Sequence, residues 1–121
     1  MTRPFRILAV DDEPAQLELV SGFLSRHGFD VLTAASGTAA LEGFRAEPAE
    51  LILTDQKMPG LSGLDLLKAA RAIHPEIAVI VVTAYGTIEQ AVAAIRGGAT
   101  DYLTKPLNLD ELLHRIGQVR D

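Results

Sequence analysis

The 121-residue chain has 11 basic and 16 acidic residues, so its net charge of −5 argues against direct nucleic-acid binding. A chain of this length buries roughly two thirds of its unfolded surface, enough for one compact core without disulfides or a structural metal. The absence of cysteine excludes thiol catalysis, zinc fingers and iron–sulfur clusters, and it favours a cytoplasmic location. The longest aliphatic run, Ile77 to Val82, is far shorter than the ~20 residues of a membrane span.

Short apolar runs alternate with longer helical patterns along the chain, which predicts five βα units. The predicted strands are Phe5 to Val10, Asp30 to Ala34, Ala49 to Thr54, Ile77 to Val82 and a weaker one at Asp101 to Leu103. The predicted helices are Pro14 to His27, Gly37 to Glu47, Gly63 to Ile73, Thr87 to Gly97 and one that starts near Leu109. Asn108 is placed to cap this last helix, with Glu111 three residues later.

The polarity of the strands indicates their order in the sheet, because strands that are covered on both faces are continuously apolar. The second and fifth predicted strands are shorter and more polar, which is typical of edges. With right-handed crossovers this favours an α/β fold, a doubly wound parallel (βα)5 sheet of order 2-1-3-4-5 in three α/β/α layers, as in flavodoxin. Residues 1–121 are therefore expected to form a single domain.

Polar residues follow the predicted strands at the sheet edge where ligands bind in doubly wound folds. They are Asp11, Asp12 and Glu13 after the first strand, Asp55 after the third, Thr83 after the fourth, and Lys105 with Pro106 after the fifth. Three carboxylates about 5 Å apart would repel one another by roughly 3 kcal/mol per pair at an effective dielectric of about 20. Hard oxygen ligands without nearby His or Cys favour Mg²⁺. A carboxylate nucleophile, a divalent metal, a hydroxyl and an ammonium are the groups that phosphoryl transfer needs.

Each of these residues also has a simpler explanation when it is taken alone. Asp12 could cap the first helix, and an Asp after a strand is a common turn residue. Thr83 could be an ordinary strand end, and Lys105-Pro106 an ordinary loop. Their combination at one edge favours the chemical interpretation.

Four short motifs occur in order along the chain. They are Val10-Asp11-Asp12-Glu13, Asp55-Gln56-Lys57-Met58-Pro59-Gly60 with Gly63, Val82-Thr83-Ala84, and Asp101-Tyr102-Leu103-Thr104-Lys105-Pro106. Over Phe5 to Val119 the chain resembles the CheY-like receiver domains of bacterial two-component response regulators. The stretches Thr83 to Gly86 and Gly97 to Tyr102 are most similar to receivers of NtrC-type nitrogen-regulatory activators, whose later domains are an ATPase and a DNA-binding module.

The resemblance implies a signalling switch rather than an enzyme with a separate substrate. Asp55 would accept a phosphoryl group from a sensor histidine kinase. Asp11, Asp12, Asp55 and the main-chain carbonyl of Lys57 would hold Mg²⁺. Thr83 and Lys105 would contact the phosphoryl group, and Ala84 is small enough to allow the approach of Thr83.

The resemblance also assigns residues to switching and to phosphoryl lifetime. Tyr102 would change rotamer together with Thr83, and the Lys105–Pro106 peptide bond would be cis. Lys57 and Tyr85 occupy positions that influence the lifetime of the phosphoryl group. Both are bulky and neither has a group that orients water as a general base would, so slow hydrolysis is expected. The alternative is that Lys57 shields the phosphoryl charge and helps water to approach.

The surface of the fourth helix, fifth strand and fifth helix is the expected output face, where an output domain, a protein partner or a second copy would bind. The fourth helix is rich in small residues beside Tyr102, and the last helix has a broad apolar stripe. The small residues are Ala91, Ala93 and Ala94, and the stripe consists of Leu109, Leu112, Leu113, Ile116 and Val119. The alternative is that this stripe belongs to the core.

Four other functions are alternatives to a phosphorylation-activated switch. Because no output domain is expected in this chain, a stand-alone regulator or phosphate sink stays open. A phosphatase of the haloacid dehalogenase type requires Asp-x-Asp, whereas Glu13 stands two places after Asp11. A flavodoxin-like flavin carrier is disfavoured because Asp11 and Asp12 would repel the flavin phosphate. A binding module that works without phosphorylation would not need the complete set of site residues.

Overall fold

The computed structural model describes residues 4–84 and 86–120, which form five consecutive βα units. The strands are β1 Arg6–Val10, β2 Asp30–Ala34, β3 Leu51–Asp55, β4 Ala78–Thr83 and β5 Asp101–Thr104. The helices are α1 Pro14–Arg26, α2 Gly37–Ala46, α3 Gly63–Ile73, α4 Ile88–Arg96 and α5 Leu109–Arg120. The strands are parallel and lie in the order β2-β1-β3-β4-β5, which confirms the predicted fold. None of the helices in these two stretches combines the length and apolar character needed to cross a bilayer.

Side chains alternate between the two faces of the sheet, so each face has its own core. Leu8 and Ile52 face one side, where they pack with Phe44 and the buried residues of α2, α3 and α4. Ile7 and Leu53 face the other side, where they pack with the buried residues of α1 and α5. We call these two sides the α2–α4 face and the α1–α5 face.

Two site residues are the last residues of their strands. The polarity pattern places Asp55 and Thr83 just after the strands, and this boundary is wrong by one residue in each case. Asp55 pairs with Val82 of β4, and the next main-chain N–H, that of Gln56, still donates to the Val82 carbonyl at 2.8 Å. Hydrogen bonds to β4 therefore extend β3 beyond its apolar residues. Such pairing cannot be predicted from the pattern of apolar residues alone.

The start of α5 has the predicted cap, whereas the start of α1 does not. Asn108 Oδ1 accepts the main-chain N–H of Glu111 at 2.9 Å, as predicted for the start of α5. The N-cap of α1 is Glu13, without a side-chain hydrogen bond, so the alternative that Asp12 caps this helix is wrong. Asp11 Oδ1 accepts the Glu13 N–H at 2.9 Å instead, which ties the start of α1 to the end of β1.

Apolar residues of the last two helices differ in their exposure. Leu112 and Ile116 are fully buried, so the alternative that the α5 stripe is core is confirmed. The other members of the stripe are partly buried against the same core: Leu109, Leu113 and Val119. Of these two helices, α4 carries the exposed large apolar residues: Ile88, Val92 and Ile95 are 85%, 42% and 50% exposed. Their spacing places them along one side of the helix.

Candidate functional site

Three carboxylates converge at the carboxyl edge of the sheet. Asp11 and Asp12 follow β1 and Asp55 ends β3, and these are the strands between which the direction of winding reverses. One carboxylate oxygen of each residue lies within 4.8 Å of the others. Asp11 and Asp55 are buried, whereas Asp12 is exposed. Parallel strands bring their carboxyl ends to one edge, so residues 44 positions apart in sequence become neighbours.

Lys105 closes the site from the fifth unit. Its Nζ lies 3.3 Å from Asp55 Oδ2 and 3.6 Å from Asp11 Oδ2. Its main-chain N–H donates to the Thr83 carbonyl at 2.8 Å, which anchors the loop after β5 to the end of β4. The Lys105–Pro106 peptide bond is cis, as the resemblance implies. The structure therefore brings Lys105 into contact with Asp11 and Asp55, two of the three carboxylates that cluster at this edge.

Burial and charge oppose each other at Asp55. Burial raises the pKa of this carboxyl group, the nearby Lys105 ammonium lowers it, and Asp11 raises it again. A hydrogen bond from the main-chain N–H of Lys57 also favours the ionised form. The overall direction is upward, so the site disfavours the charge on Asp55 unless further positive charge is supplied.

Lys105 itself stays strongly basic. Burial alone would lower the pKa of its ammonium group, but the carboxylates of Asp11 and Asp55 outweigh burial and leave the pKa raised. Lys105 is therefore a permanent positive charge at neutral pH. One ammonium does not balance three carboxylates.

The donor set fits a hard divalent cation. The three clustered side chains offer only oxygen atoms, and they retain negative charge after Lys105 is counted. Mg²⁺ prefers such ligands and needs only one or two protein carboxylates. Lys57 lines the same depression as Asp12, Asp55 and Lys105, and its main-chain N–H is hydrogen-bonded to the Asp55 carboxylate.

Thr83 occupies a neighbouring position rather than the acidic cluster. It is buried at the end of β4, and strand alternation places it on the α2–α4 face, whereas Asp55 belongs with Leu53 on the α1–α5 face. Thr83 lines a second depression together with Gln56, Lys57, Met58, Ser62 and Gln90. Ala84 is exposed and lines the acidic depression.

Tyr102 links β5 to α4. Its ring is half-buried against the α2–α4 core, and its hydroxyl donates to Gln90 Oε1 at 3.3 Å. Tyr85, which the resemblance assigns to phosphoryl lifetime, lies outside the described residues.

Two glutamines that line the second depression, Gln56 and Gln90, cannot be identified as site residues from the sequence. Gln90 is the partner of Tyr102, and Gln56 Oε1 accepts the main-chain N–H of Leu64 at 2.9 Å. A single Gln on an exposed helix or after a strand is common, so residue type and spacing contain no signal for either contact. Only the position of Gln56 directly after Asp55 could have drawn attention to it.

Comparison with known proteins places the chain in one family. Residues 7–117 match the family described as the response regulator receiver domain. The transcriptional regulatory protein ZraR of Escherichia coli is 41% identical over 106 residues, which cover 88% of this chain and 24% of ZraR. The response regulator protein PilR of Pseudomonas aeruginosa is 41% identical over 107 residues, which also cover 88% of this chain and 24% of that protein. The chain thus spans about a quarter of the length of these curated relatives.

Solved structures agree with this assignment. The receiver domain of NtrX from Brucella abortus has a TM-score of 0.87 and 37% identity, with 93% of this chain and 96% of that one covered. A CheY-like receiver domain from Methanospirillum hungatei has a TM-score of 0.90 and 35% identity, with coverage of 95% and 92%. These relatives confirm the resemblance to receivers of NtrC-type regulators and weigh against a phosphatase or a flavin carrier. The chain belongs to the response regulator receiver domain family.

Proposed function

We propose that this domain is a phosphorylation-activated switch of a two-component system, in which Asp55 accepts a phosphoryl group from a sensor histidine kinase. The observation that carries the proposal is the position of the Asp55 carboxylate. It lies 3.3 Å from Lys105 Nζ and within 4.8 Å of the carboxylates of Asp11 and Asp12. The domain changes its own covalent state and turns over no separate substrate.

The transfer needs an ionised Asp55. One Asp55 oxygen forms the new P–O bond while the P–N bond of the donor phosphohistidine breaks, and the donor imidazole, protonated on its other nitrogen, leaves as the neutral ring. Lys105 and the Lys57 N–H favour the ionised carboxylate against the effect of burial. Both groups therefore support the nucleophile.

The acidic cluster is the proposed Mg²⁺ site. Asp11, Asp12, Asp55 and the main-chain carbonyl of Lys57 would hold the ion, either directly or through water. Bound Mg²⁺ supplies positive charge to the carboxylates and to the phosphoryl oxygens. The residues fit this role because Lys105 is a single positive charge beside three carboxylates.

Lys105 and Thr83 would hold the transferred group. Lys105 already contacts Asp55, so its ammonium is placed to pair with a phosphoryl oxygen bound there. Thr83 lines the neighbouring depression, and its hydroxyl would donate to another phosphoryl oxygen once the start of the β4–α4 connection moves toward Asp55. The small side chain of Ala84 leaves room for this movement.

We further propose that the signal leaves through the surface of α4, β5 and α5. Movement of Thr83 would shift Tyr102, whose hydroxyl is hydrogen-bonded to Gln90 of α4. The exposed apolar residues of α4, rather than the buried stripe of α5, would supply contacts to an output domain or a second copy. They are Ile88, Val92 and Ile95.

The wider context follows from the relatives. ZraR is named a transcriptional regulatory protein, so control of transcription is the proposed output, through a domain or partner other than this receiver. We propose that residues 1–121 act as a single receiver unit in the cytoplasm, without direct contact to nucleic acid or membrane. A stand-alone regulator or phosphate sink is the alternative, and it would show the same chemistry at Asp55.

The phosphoryl group is proposed to persist. Lys57 is exposed beside the acidic depression, and its side chain has no carboxylate or amide to orient an attacking water. The Lys57→Asn, Tyr85→Glu double variant is expected to lose its phosphoryl group faster than the parent in Mg²⁺, as measured by phosphate release. Equal rates would refute the proposal that Lys57 and Tyr85 slow hydrolysis, and would leave the assignment of Asp55 as phosphoacceptor intact.

The central test uses acetyl phosphate, Mg²⁺ and intact mass spectrometry. The parent is expected to gain one phosphoryl group, which Asp55→Asn abolishes and Lys105→Gln slows. Asp110→Asn, an exposed acid on α5, is the matched control and should be labelled like the parent. Labelling that survives Asp55→Asn would place the acceptor elsewhere, and circular dichroism confirms that each variant is folded.

The output surface is tested separately by sedimentation with and without beryllofluoride. A partner surface on α4 predicts that Ile95→Ser abolishes association induced by beryllofluoride. Leu19→Ser is the control, because Leu19 is equally apolar and 54% exposed on α1. A monomer in all conditions, with unchanged amide NMR shifts on α4, would end the proposal of a homodimer through this surface.

A further inference from the structure

We propose that Gln56 is a positioning residue for the phosphoacceptor. Its side-chain amide ties the segment that follows Asp55 to the first turn of α3 and thereby helps to fix the main chain of Lys57, including its N–H and its C=O. The inference rests on the proposed function of Asp55, since it concerns how that carboxylate is held.

Gln56 makes three hydrogen bonds that connect three elements. Its main-chain N–H donates to the Val82 carbonyl of β4 at 2.8 Å, and its carbonyl accepts the Gly63 N–H at 3.0 Å. Its Oε1 accepts the Leu64 N–H at 2.9 Å. The residue between Asp55 and Lys57 is therefore held at both main-chain groups and at the end of its side chain.

The contact to Leu64 differs from an ordinary helix cap. A separate capping box already serves this helix, with Ser62 Oγ accepting the Asp65 N–H and Asp65 accepting the Ser62 N–H. That box joins residues within the start of α3 itself. The amide of Gln56 joins α3 to the strand that carries Asp55, so it transmits the position of the helix to the site.

Gly63 makes this close contact possible. A Cβ at Gly63 would lie 2.6 Å from the Asp55 carbonyl oxygen and 3.0 Å from Gln56 Oε1. Any side chain at this position would push the start of α3 away from the end of β3. The helix can therefore approach closely enough for the Gln56 amide to reach the Leu64 N–H.

The Gln56 side-chain contact affects the site through the main chain of Lys57. Residues 57–62 form a loop whose two ends are joined by the Gly63–Gln56 hydrogen bond and whose first peptide donates its N–H to the Asp55 carboxylate. The side-chain contact adds a second tie at the same place. Without it only the Gly63–Gln56 main-chain hydrogen bond holds this segment to α3, so the Lys57 N–H toward Asp55 and the Lys57 carbonyl proposed for the metal are held less firmly.

The test compares Gln56→Met, which keeps the length of the side chain but removes the amide, with the parent. The expected result is about fivefold weaker Mg²⁺ binding, the equivalent of one hydrogen bond of about 1 kcal/mol, measured by titration of amide NMR shifts. Phosphorylation by acetyl phosphate at saturating Mg²⁺ is expected to slow severalfold. Gln56→Glu keeps an acceptor oxygen for the Leu64 N–H and is expected to retain the parent rate within about twofold at saturating Mg²⁺.

Ser62→Ala is the matched control, because it removes a hydrogen bond from the same helix start without touching the Asp55–Lys57 segment. It is expected to lower the melting temperature like Gln56→Met while leaving Mg²⁺ affinity unchanged. Equal loss of Mg²⁺ affinity in both variants would reduce Gln56 to a helix cap and overturn the proposal. Parent-like behaviour of Gln56→Met, or a rate loss in Gln56→Glu as large as in Gln56→Met, would also overturn it.

A second variant and the labelling of the parent complete the test. If Gln56→Met does not fold, Gln56→Asn takes its place, since it retains the amide but is one methylene group too short to reach Leu64. A parent that acetyl phosphate does not label at Asp55 would instead refute the proposed function itself. Normal labelling of the parent together with unaffected Gln56 variants would refute only the role of Gln56.

Discussion

Replacing Asp55 with asparagine is expected to stabilise the domain when divalent cations are absent. The Asp55 residue is only 7% exposed, and other carboxylates lie within 4.8 Å of its own. Asparagine keeps the shape of the side chain and an oxygen that can accept the Lys57 N–H. It removes the buried negative charge.

The magnitude follows from the distances in the site. At an effective dielectric of about 20, repulsion over 4.8 Å amounts to about 3.5 kcal/mol, and attraction between Asp55 and Lys105 over 3.3 Å to about 5 kcal/mol. Asp11 contributes its full repulsion, whereas solvent screens the exposed Asp12 to about half. Attraction and repulsion therefore nearly cancel, and burial decides the sign. We expect a gain of about 2 kcal/mol in the free energy of unfolding, part of the several kcal/mol that burial of an ion costs.

The dependence on pH gives the prediction a second signature. Burial raises the folded-state pKa of Asp55 above the ordinary value of 3.8, so between these two values the folded chain binds more protons than the unfolded chain. Stability of the parent consequently falls as the pH rises through this window, while Asp55→Asn lacks that contribution. The difference between the two proteins should be smallest below the ordinary value of 3.8 and reach its full value once the pH exceeds the raised folded-state pKa of Asp55.

Urea denaturation in EDTA, followed by circular dichroism, measures both quantities. Glu18→Gln, an acid-to-amide change at an exposed position of α1, is the control and should alter stability by less than about 0.5 kcal/mol. Addition of Mg²⁺ is expected to stabilise the parent more than Asp55→Asn, because binding favours the folded state. An asparagine variant that is no more stable than the parent at neutral pH without divalent ions would refute the reasoning.

Four further substitutions test the fold, each through the free energy of unfolding in urea. Asn108→Ala is expected to lower it by about 1 kcal/mol, because Asn108 caps α5 through the Glu111 N–H. Gly117→Ala is expected to raise it by up to about 1 kcal/mol, since a Cβ within α5 meets nothing within 4 Å. Gly98→Ala is expected to lower it by about 2 kcal/mol, because φ is +106° and the Cβ would lie 2.7 Å from an α3 side chain. Phe44→Ala is expected to lower it by about 3–5 kcal/mol, because the ring is fully buried.

The two glycines form a matched pair with opposite expected signs. A destabilising Gly117→Ala, or a Gly98→Ala variant as stable as the parent, would contradict the backbone argument. An Asn108→Ala variant with unchanged stability would mean that solvent replaces the cap without loss. A loss below about 1 kcal/mol for Phe44→Ala would show that the α2–α4 core is not packed as described.

Much of the fold is determined by local patterns in the sequence. The continuous apolar runs of β1, β3 and β4 and the more polar runs of β2 and β5 are sufficient to order the sheet, because burial on both faces excludes polar side chains. The convergence of Asp11, Asp12 and Asp55 follows from the same topology, since parallel strands end at one edge. Caps such as Asn108 depend on residues only three positions apart and are therefore visible in sequence.

Other features depend on packing between distant parts of the chain. The sequence of an apolar stripe does not reveal whether another element covers it. Only the tertiary structure shows that the α5 stripe is part of the core, while Ile88 and Ile95 of α4 are exposed. The exact strand ends, and with them the faces of Asp55 and Thr83, depend on hydrogen bonds to the neighbouring strand.

The sequence by itself determined which residues share the carboxyl edge, because the alternation of strands and helices sets the course of the chain. It did not determine how those residues contact one another. Lys105 meets Asp55 across 50 positions, and the amide of Gln56 reaches the Leu64 N–H across a loop. Such contacts depend on side-chain reach and on the close approach of a helix to a strand end, which residue type and spacing do not encode and which only the packed structure decides.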